Sequence, residues 1–223
     1  MKRTQAVIFD LDGTLLNTIG DITESVNAAM AEINEKPFSS DEVKYFVGSG
    51  VDILVNRIIK IRELDMDMFD YIKKAYLKYY SEYRTKTTAP YPGISDLLKN
   101  LSGLEIDINV LSNKPENDVI PVIAENFPEM DFKIVMGKRE TFPIKPDPTS
   151  VLYLVKQLGI DRNKVLYVGD SEVDILTALN AGLESVGVLW GFRTETELRN
   201  AGAKHLVKSP GDIVKIIEKR EKA

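Results

Sequence analysis

Apolar residues in this chain recur at two spacings, and the change from one to the other divides it. Ala6, Val7, Ile8 and Phe9 form a continuous run that stops at Asp10 and Asp12. Such a short run, rich in β-branched and aromatic residues, predicts a buried parallel strand whose C-terminal end carries the two carboxylates. From residue 17 the spacing is helical for about seventy residues. Ile19, Ile22, Val26, Ala29, Met30 and Ile33 make one stripe, Val51, Leu54, Val55, Ile58 and Ile59 a second, and Phe69, Ile72, Tyr76, Tyr79 and Tyr83 a third. Ser39-Ser40-Asp41-Glu42 reads as a helix start, and Val47-Gly48-Ser49-Gly50 as a tight loop before the next helix. These signals predict an all-α insertion, a four-helix bundle without strands. The tyrosines at 71, 76, 79, 80 and 83 are read as packing rather than as a cofactor surface.

After the linker-like stretch 85–93, strands and helices alternate. Apolar runs at 106–111, 132–136, 165–168 and 184–189 predict further core strands, and His205-Leu206-Val207 a short edge strand. Helices are expected over 94–101 and 116–126. Another starts with Pro148 in its first turn and is closed by Gly159, and others follow Ser171, the capping box Thr194 to Glu197, and Ser209-Pro210. Alternation of this kind predicts an α/β fold, a doubly wound parallel-sheet (Rossmann-like) core with an inserted all-α unit. The expected division is 1–16 and 90–223 for the core and 17–89 for the helical insertion.

Composition removes several chemistries. The 223 residues contain no Cys and one His, so thiol nucleophiles, Cys-ligated zinc and His-rich metal sites are excluded, and His205 beside apolar residues reads as structural. A net charge of −5 without a Lys/Arg block argues against nucleic acid as a main partner. The first apolar run is too short for a signal peptide or a membrane span, so a cytoplasmic protein with no membrane partner is expected. What remains for chemistry is carboxylate, Lys and hydroxyl.

Those groups collect at strand ends: Asp10 and Asp12, Ser112 and Asn113, the loop to Lys145, and Asp170 with Asp174. In a parallel sheet the C-terminal ends share one edge, where ligands bind. Asp10-Leu11-Asp12-Gly13 is not a calcium loop of the EF-hand type, because Leu15 stands where that loop needs glycine. Crowded carboxylates with no His or Cys among them suit a hard cation, Mg²⁺, and Lys145 and the Ser112 hydroxyl would favour a phosphoryl group.

Asp10-Leu11-Asp12-Gly13-Thr14, Ser112-Asn113, Lys145-Pro146-Asp147-Pro148 and Gly169-Asp170-Ser171-Glu172-Val173-Asp174 resemble, in order, the four motifs of the haloacid dehalogenase-like hydrolase superfamily. The insertion resembles its α-helical C1 cap, and Val47 to Gly50, Tyr91-Pro92-Gly93 and Leu189 to Arg193 resemble the phosphoglycolate phosphatase branch. The resemblance implies Asp10 as nucleophile, Asp12 as general acid and base, and Lys145 as charge balance. It implies Mg²⁺ on the Asp10 and Asp170 carboxylates and the Asp12 carbonyl, with Asp174 one layer behind. Gly13, Thr14, Ser112 and Asn113, with Gly48, Ser49 and Gly50 from the cap, are the implied phosphate and substrate contacts. The implied partner is a small phosphorylated metabolite, and the implied activity a phosphatase acting through an aspartyl-phosphate. A phosphosugar mutase, a pyrophosphatase or nucleotidase, and a catalytically idle binding module are the alternatives. Substrate identity and oligomeric state are open at this level.

Overall fold

Residues 3–222 are described by the computed structural model, in which the first apolar run lies inside the sheet. The chain begins with β1 (Ala6–Phe9) and β2 (Leu16–Asn17). Helices α1 (Ile19–Glu32), α2 (Ser40–Lys44), α3 (Val51–Arg62) and α4 (Phe69–Tyr83) follow, and then β3 (Ala89–Pro90). The remainder is α5 (Ile94–Gly103), β4 (Asp107–Pro115), α6 (Glu116–Asn126), β5 (Ile134–Lys138), α7 (Thr149–Leu158), β6 (Val165–Gly169), α8 (Glu172–Ala181), β7 (Glu184–Val188), α9 (Glu195–Asn200), β8 (His205–Val207) and α10 (Gly211–Lys222). Six strands pair in the order β5-β4-β1-β6-β7-β8, every pair parallel.

Alternation along β1 explains why helices are needed on both faces. Val7 and Phe9 pack into one apolar layer with α5, α6 and α10, through residues such as Leu98, Val119 and Ile213. Ala6 and Ile8 pack into the other with α7 and α8, through Val151, Leu154 and Ala178. All four β1 residues are fully buried, as a strand covered on both sides must be. The four helices between β2 and β3 close around their own apolar cluster, in which Val26, Met30, Val55, Ile58 and Ile72 meet. Phe192, from the loop after β7, is the core's contribution to that cluster.

Local signals hold in detail. Ser39 and Glu42 form the capping box of α2, and Thr194 and Glu197 that of α9. Gly159 ends α7 with φ +66, the left-handed conformation glycine adopts without strain. His205 bonds Glu184 Oε1 at 2.6 Å on the edge strand.

Four boundaries differ from expectation. β4 does not stop before Ser112 but continues through Asn113 and Lys114 to Pro115, with a register irregularity against β5 between Leu111 and Pro115. That bulge carries three polar residues along a strand and aims them off the ladder. β5 begins two residues later than the apolar run, because Phe132 is drawn sideways onto Phe127, with ring centroids 5.7 Å apart. Pro148 is the capping residue of α7 rather than its first helical position, and β7 ends at Val188.

Where a plain linker was expected, the two chain crossings pair with each other. β2 and β3 form a two-residue antiparallel ladder, Leu16 opposite Pro90 and Asn17 opposite Ala89. Beside it the fully buried Asp21 carboxylate accepts from the main chain and hydroxyls of both Thr87 and Thr88, at 2.6–3.0 Å. Four donors on one carboxylate satisfy a charge that burial would otherwise make costly.

Candidate active site

Sheet order explains the convergence: β1 lies between β4 and β6, so the ends of three adjacent strands deliver Asp10, Ser112 and Asp170 to one edge. The Asp10 backbone N–H donates to Val168 O at 2.9 Å, which continues the β1–β6 ladder to the reactive position. Gly13, at φ +87, turns the chain under Asp170, where any Cβ would overlap that carboxylate. Gly191 backs onto Asp170 in the same way from the loop after β7.

Lys145 is the hub. Its ammonium donates to Asp10 Oδ1 at 2.8 Å, Asp174 Oδ1 at 2.7 Å and Leu111 O at 3.2 Å, with 3% of the residue exposed. Asn113 fixes the main chain of Lys145 from both sides, accepting from its N–H at 2.8 Å and donating to its carbonyl at 3.1 Å. The second Asn113 N–H donates to Gly48 O of the helical insertion at 3.0 Å. Both N–H groups of the Asn113 side chain are therefore engaged in bracing.

Asp174 has both oxygens engaged, one by Lys145 and Tyr167, the other by the Ser171 hydroxyl and N–H in the capping box of α8. The helix-start role and the contact with Lys145 are one arrangement. Asp170 accepts from Thr14 Oγ1 at 3.3 Å and from Phe192 N at 2.7 Å. Asp10 differs, since only Oδ1 is bonded and Oδ2 has no partner among the described residues.

Asp10, Asp170 and Asp174 place carboxylate oxygens within 4.8 Å of one another, all buried. Burial, reinforced by Asp174, pushes the Asp10 carboxyl up to about 7 against the pull of Lys145. Burial and the same two neighbouring carboxylates raise Asp170 as well. Burial would depress the Lys145 ammonium, but Asp10 and Asp174 more than offset it and hold it charged. Three crowded carboxylates share one ammonium, and a divalent hard cation fits this all-oxygen donor set because it would favour the ionised forms of Asp10 and Asp170 that burial disfavours.

Asp12, on the other side of the turn, has Lys114 Nζ on Oδ1 at 2.6 Å, and the same ammonium donates to Tyr80 OH of α4 at 2.6 Å. Asp10, Asp12, Ser112, Asn113, Lys114 and Asp118 form the core side of a cavity of about 40 Å³, enough for only a few water molecules. Ile22, Val47, Val51, Leu54 and Tyr76 close it from the helices. The Ser112 hydroxyl accepts from Lys114 N at 3.2 Å and keeps its proton for a ligand.

Several expected contacts lie elsewhere. Gly13 N donates to Leu16 O and Thr14 supports Asp170, so neither lines the cavity. Gly48 and Gly50 line it, whereas Ser49 receives a long contact from Arg57 at 3.5 Å and does not. Lys114, Tyr80 and Arg193 were missed as site residues. Arg193 ties the loop before α3 to the core, donating to Lys44 O and Val47 O at 2.7 and 3.1 Å while paired with Glu172. A buried basic residue whose acidic partner stands far away in sequence, as Asp12 does from Lys114 and Glu172 from Arg193, gives no local signal.

The haloacid dehalogenase-like hydrolase profile matches residues 7–188. The chain belongs to that family. It is 30% identical to a phosphoglycolate phosphatase of Mannheimia succiniciproducens over 94% of its own length and 96% of the relative's. To a phosphoglycolate phosphatase of Neisseria gonorrhoeae it is 32% identical, covering 89% of this chain and 85% of that one. A crystal structure from Lactobacillus delbrueckii subsp. bulgaricus, provisionally named a phosphoglycolate phosphatase, superposes with a TM-score of 0.92 at 32% identity, over 97% of this chain and 99% of that one. Among the described residues no helix is long and apolar enough to cross a membrane.

Proposed function

We propose that this hydrolase cleaves a small phosphate monoester, phosphoglycolate or a close analogue, through an aspartyl-phosphate on Asp10 and with Mg²⁺ bound. The observation that carries the reading is the asymmetry of Asp10, whose Oδ1 is clamped by Lys145 while Oδ2 is unbonded at the cavity floor. In the first half-reaction Oδ2 attacks phosphorus, the P–O bond to the leaving group breaks, and Asp12 protonates the departing oxygen. In the second, Asp12 takes a proton from water, whose oxygen attacks phosphorus. The bond to Asp10 then breaks, inorganic phosphate leaves and the carboxylate is restored. Ser112 donates to a phosphoryl oxygen, and Lys145 balances the charge gathered at Asp10.

The Asp10 and Asp170 carboxylates and the Asp12 main-chain carbonyl would hold Mg²⁺, which would supply further neutralisation of the phosphoryl oxygens. Asp174 stands behind, fixing Lys145 rather than contacting the substrate. Residues 17–89 act as a cap over a core formed by 1–16 and 90–223. The tight, apolar upper wall supports a small leaving group over a sugar or a nucleotide.

Phosphate release from phosphoglycolate and other small esters, measured in Mg²⁺ and in EDTA, tests the reading. Release should need Mg²⁺, and acid-quenched enzyme should carry a hydroxylamine-labile phosphate that Asp10→Asn abolishes. Turnover that survives Asp10→Asn would sink the nucleophile assignment. Isomer formation in place of phosphate release would make the enzyme a mutase.

A further inference from the structure

Two buried lysines serve the two aspartates of the β1 turn, and they are tethered differently. Every partner of Lys145 lies in the α/β core. Lys114 instead spans the gap between core and helices, with Asp12 Oδ1 on one side and Tyr80 OH on the other, both at 2.6 Å. Lys114 is 8% exposed and Tyr80 2%, and the Tyr80 ring is stacked on Tyr76 at 5.7 Å with an interplanar angle of 18°. The phenol therefore has a fixed position on α4, set by packing inside the helical cluster. A lysine carries a flexible four-carbon stem whose immobilisation costs rotamer entropy. A single bond to Asp12 would leave that stem free to swing, and the phenol removes this freedom from the far side.

From this geometry we infer that Lys114 and Tyr80 are positioning residues that make the set of the Asp12 carboxylate depend on the seating of the helices. With α4 in place, Tyr80 fixes the Lys114 ammonium, and Lys114 fixes Oδ1 of Asp12. Oδ2 has no partner among the described residues and is left for the leaving-group oxygen. When α4 withdraws, the ammonium loses its second anchor and the Asp12 carboxylate its fixed orientation. The inference rests on Asp12 as the group that protonates the leaving oxygen.

Two substrates of nearly equal size separate this role from simple packing. Acetyl phosphate releases acetate, which needs no proton, whereas ethyl phosphate releases an alkoxide that does. The quantity to measure is kcat/KM, which covers steps through cleavage of the ester. Asp12→Asn, the reference, should lower it for ethyl phosphate by about 10²–10⁴-fold and for acetyl phosphate much less. Tyr80→Phe, which deletes one oxygen, should reproduce the same selective loss at about tenfold, and Lys114→Met should exceed it, with the folded state checked by circular dichroism. An equal fall on both substrates in Tyr80→Phe, beside a selective fall in Asp12→Asn, would overturn the inference and leave the pair a structural link. A non-selective fall in Asp12→Asn itself would overturn the acid role on which it rests. If Lys114→Met does not fold, the Tyr80→Phe comparison decides alone.

Discussion

Below the cavity, Asp10, Asp170, Asp174 and Lys145 are buried, and each is bonded to a group far from it in sequence or across the capping turn of α8. Above it, Ile22, Val51 and Leu54 present aliphatic surface, and polar atoms come only from tyrosine hydroxyls and the glycine backbone of the loop before α3. The lower layer is over-determined, since each side chain fixes the next and none can change alone. In the upper layer, aliphatic shape allows graded change, with each methylene worth a modest factor. On the proposed reading, chemistry belongs to the layer that cannot vary, and selectivity to the layer that can.

The largest effect should come from the floor. Asp10→Asn should lower kcat by about four to six orders of magnitude, as loss of a covalent nucleophile does in other enzymes, leaving the fold intact by circular dichroism. Lys145→Met should be felt in stability as well as in rate. It strands two buried carboxylates, and loss of one partner of a buried ion pair costs about 3–5 kcal/mol, readable as a shift in urea midpoint. Full stability in that variant would mean that the floor is less tightly coupled than the bonds imply.

A pH series sharpens the same contrast at smaller amplitude. In EDTA, the folded protein retains protons on Asp10 and Asp170 that the unfolded chain gives up above about pH 4. Where the folded state binds more protons, stability falls as pH rises, here from about 4 to about 7. A divalent cation favours the ionised carboxylates, so stabilisation by Mg²⁺ should grow across that window. It should reach on the order of 2–3 kcal/mol when Mg²⁺ is about a hundredfold above its Kd. Melting temperatures with and without Mg²⁺ that run parallel from pH 4.5 to 7.5 would break the link between the acidic cluster and the metal. The smallest effect belongs to the roof. Val51→Ala, two methylene equivalents at the cavity wall, should shift selectivity toward bulkier esters by about tenfold in kcat/KM, a change of about 1.4 kcal/mol.

The same division governs what could be read from residue order. Asp10 and Asp170 were legible because each follows an apolar run and strand ends in a parallel sheet share an edge, whereas Lys145 and Asp174 stood out through the motifs that carry the family resemblance. Capping boxes were legible because their partners lie three residues apart, as Ser171 and Asp174 do. Lys114 was not, since its partners Asp12 and Tyr80 stand 102 and 34 positions away. Tyr80 was hidden for a related reason. Within the stripe of tyrosines on α4, Tyr76 and Tyr80 face the cavity while Tyr71 and Tyr79 bond Glu32 on the outside, and helical spacing alone does not say which face meets the core. The bulge in β4 was equally invisible, because Ser-Asn-Lys after an apolar run is what a strand end and a bulged strand both look like.

The two-residue ladder of β2 and β3 places the exit to the helices and the return from them side by side, with Asn17 opposite Ala89. A short reverse turn could join those two positions, and the sheet would still have its strands in order. Both covalent links between the helices and the core thus lie side by side. A lineage could exchange the helices for another insertion while the strand-end carboxylates stayed where they are.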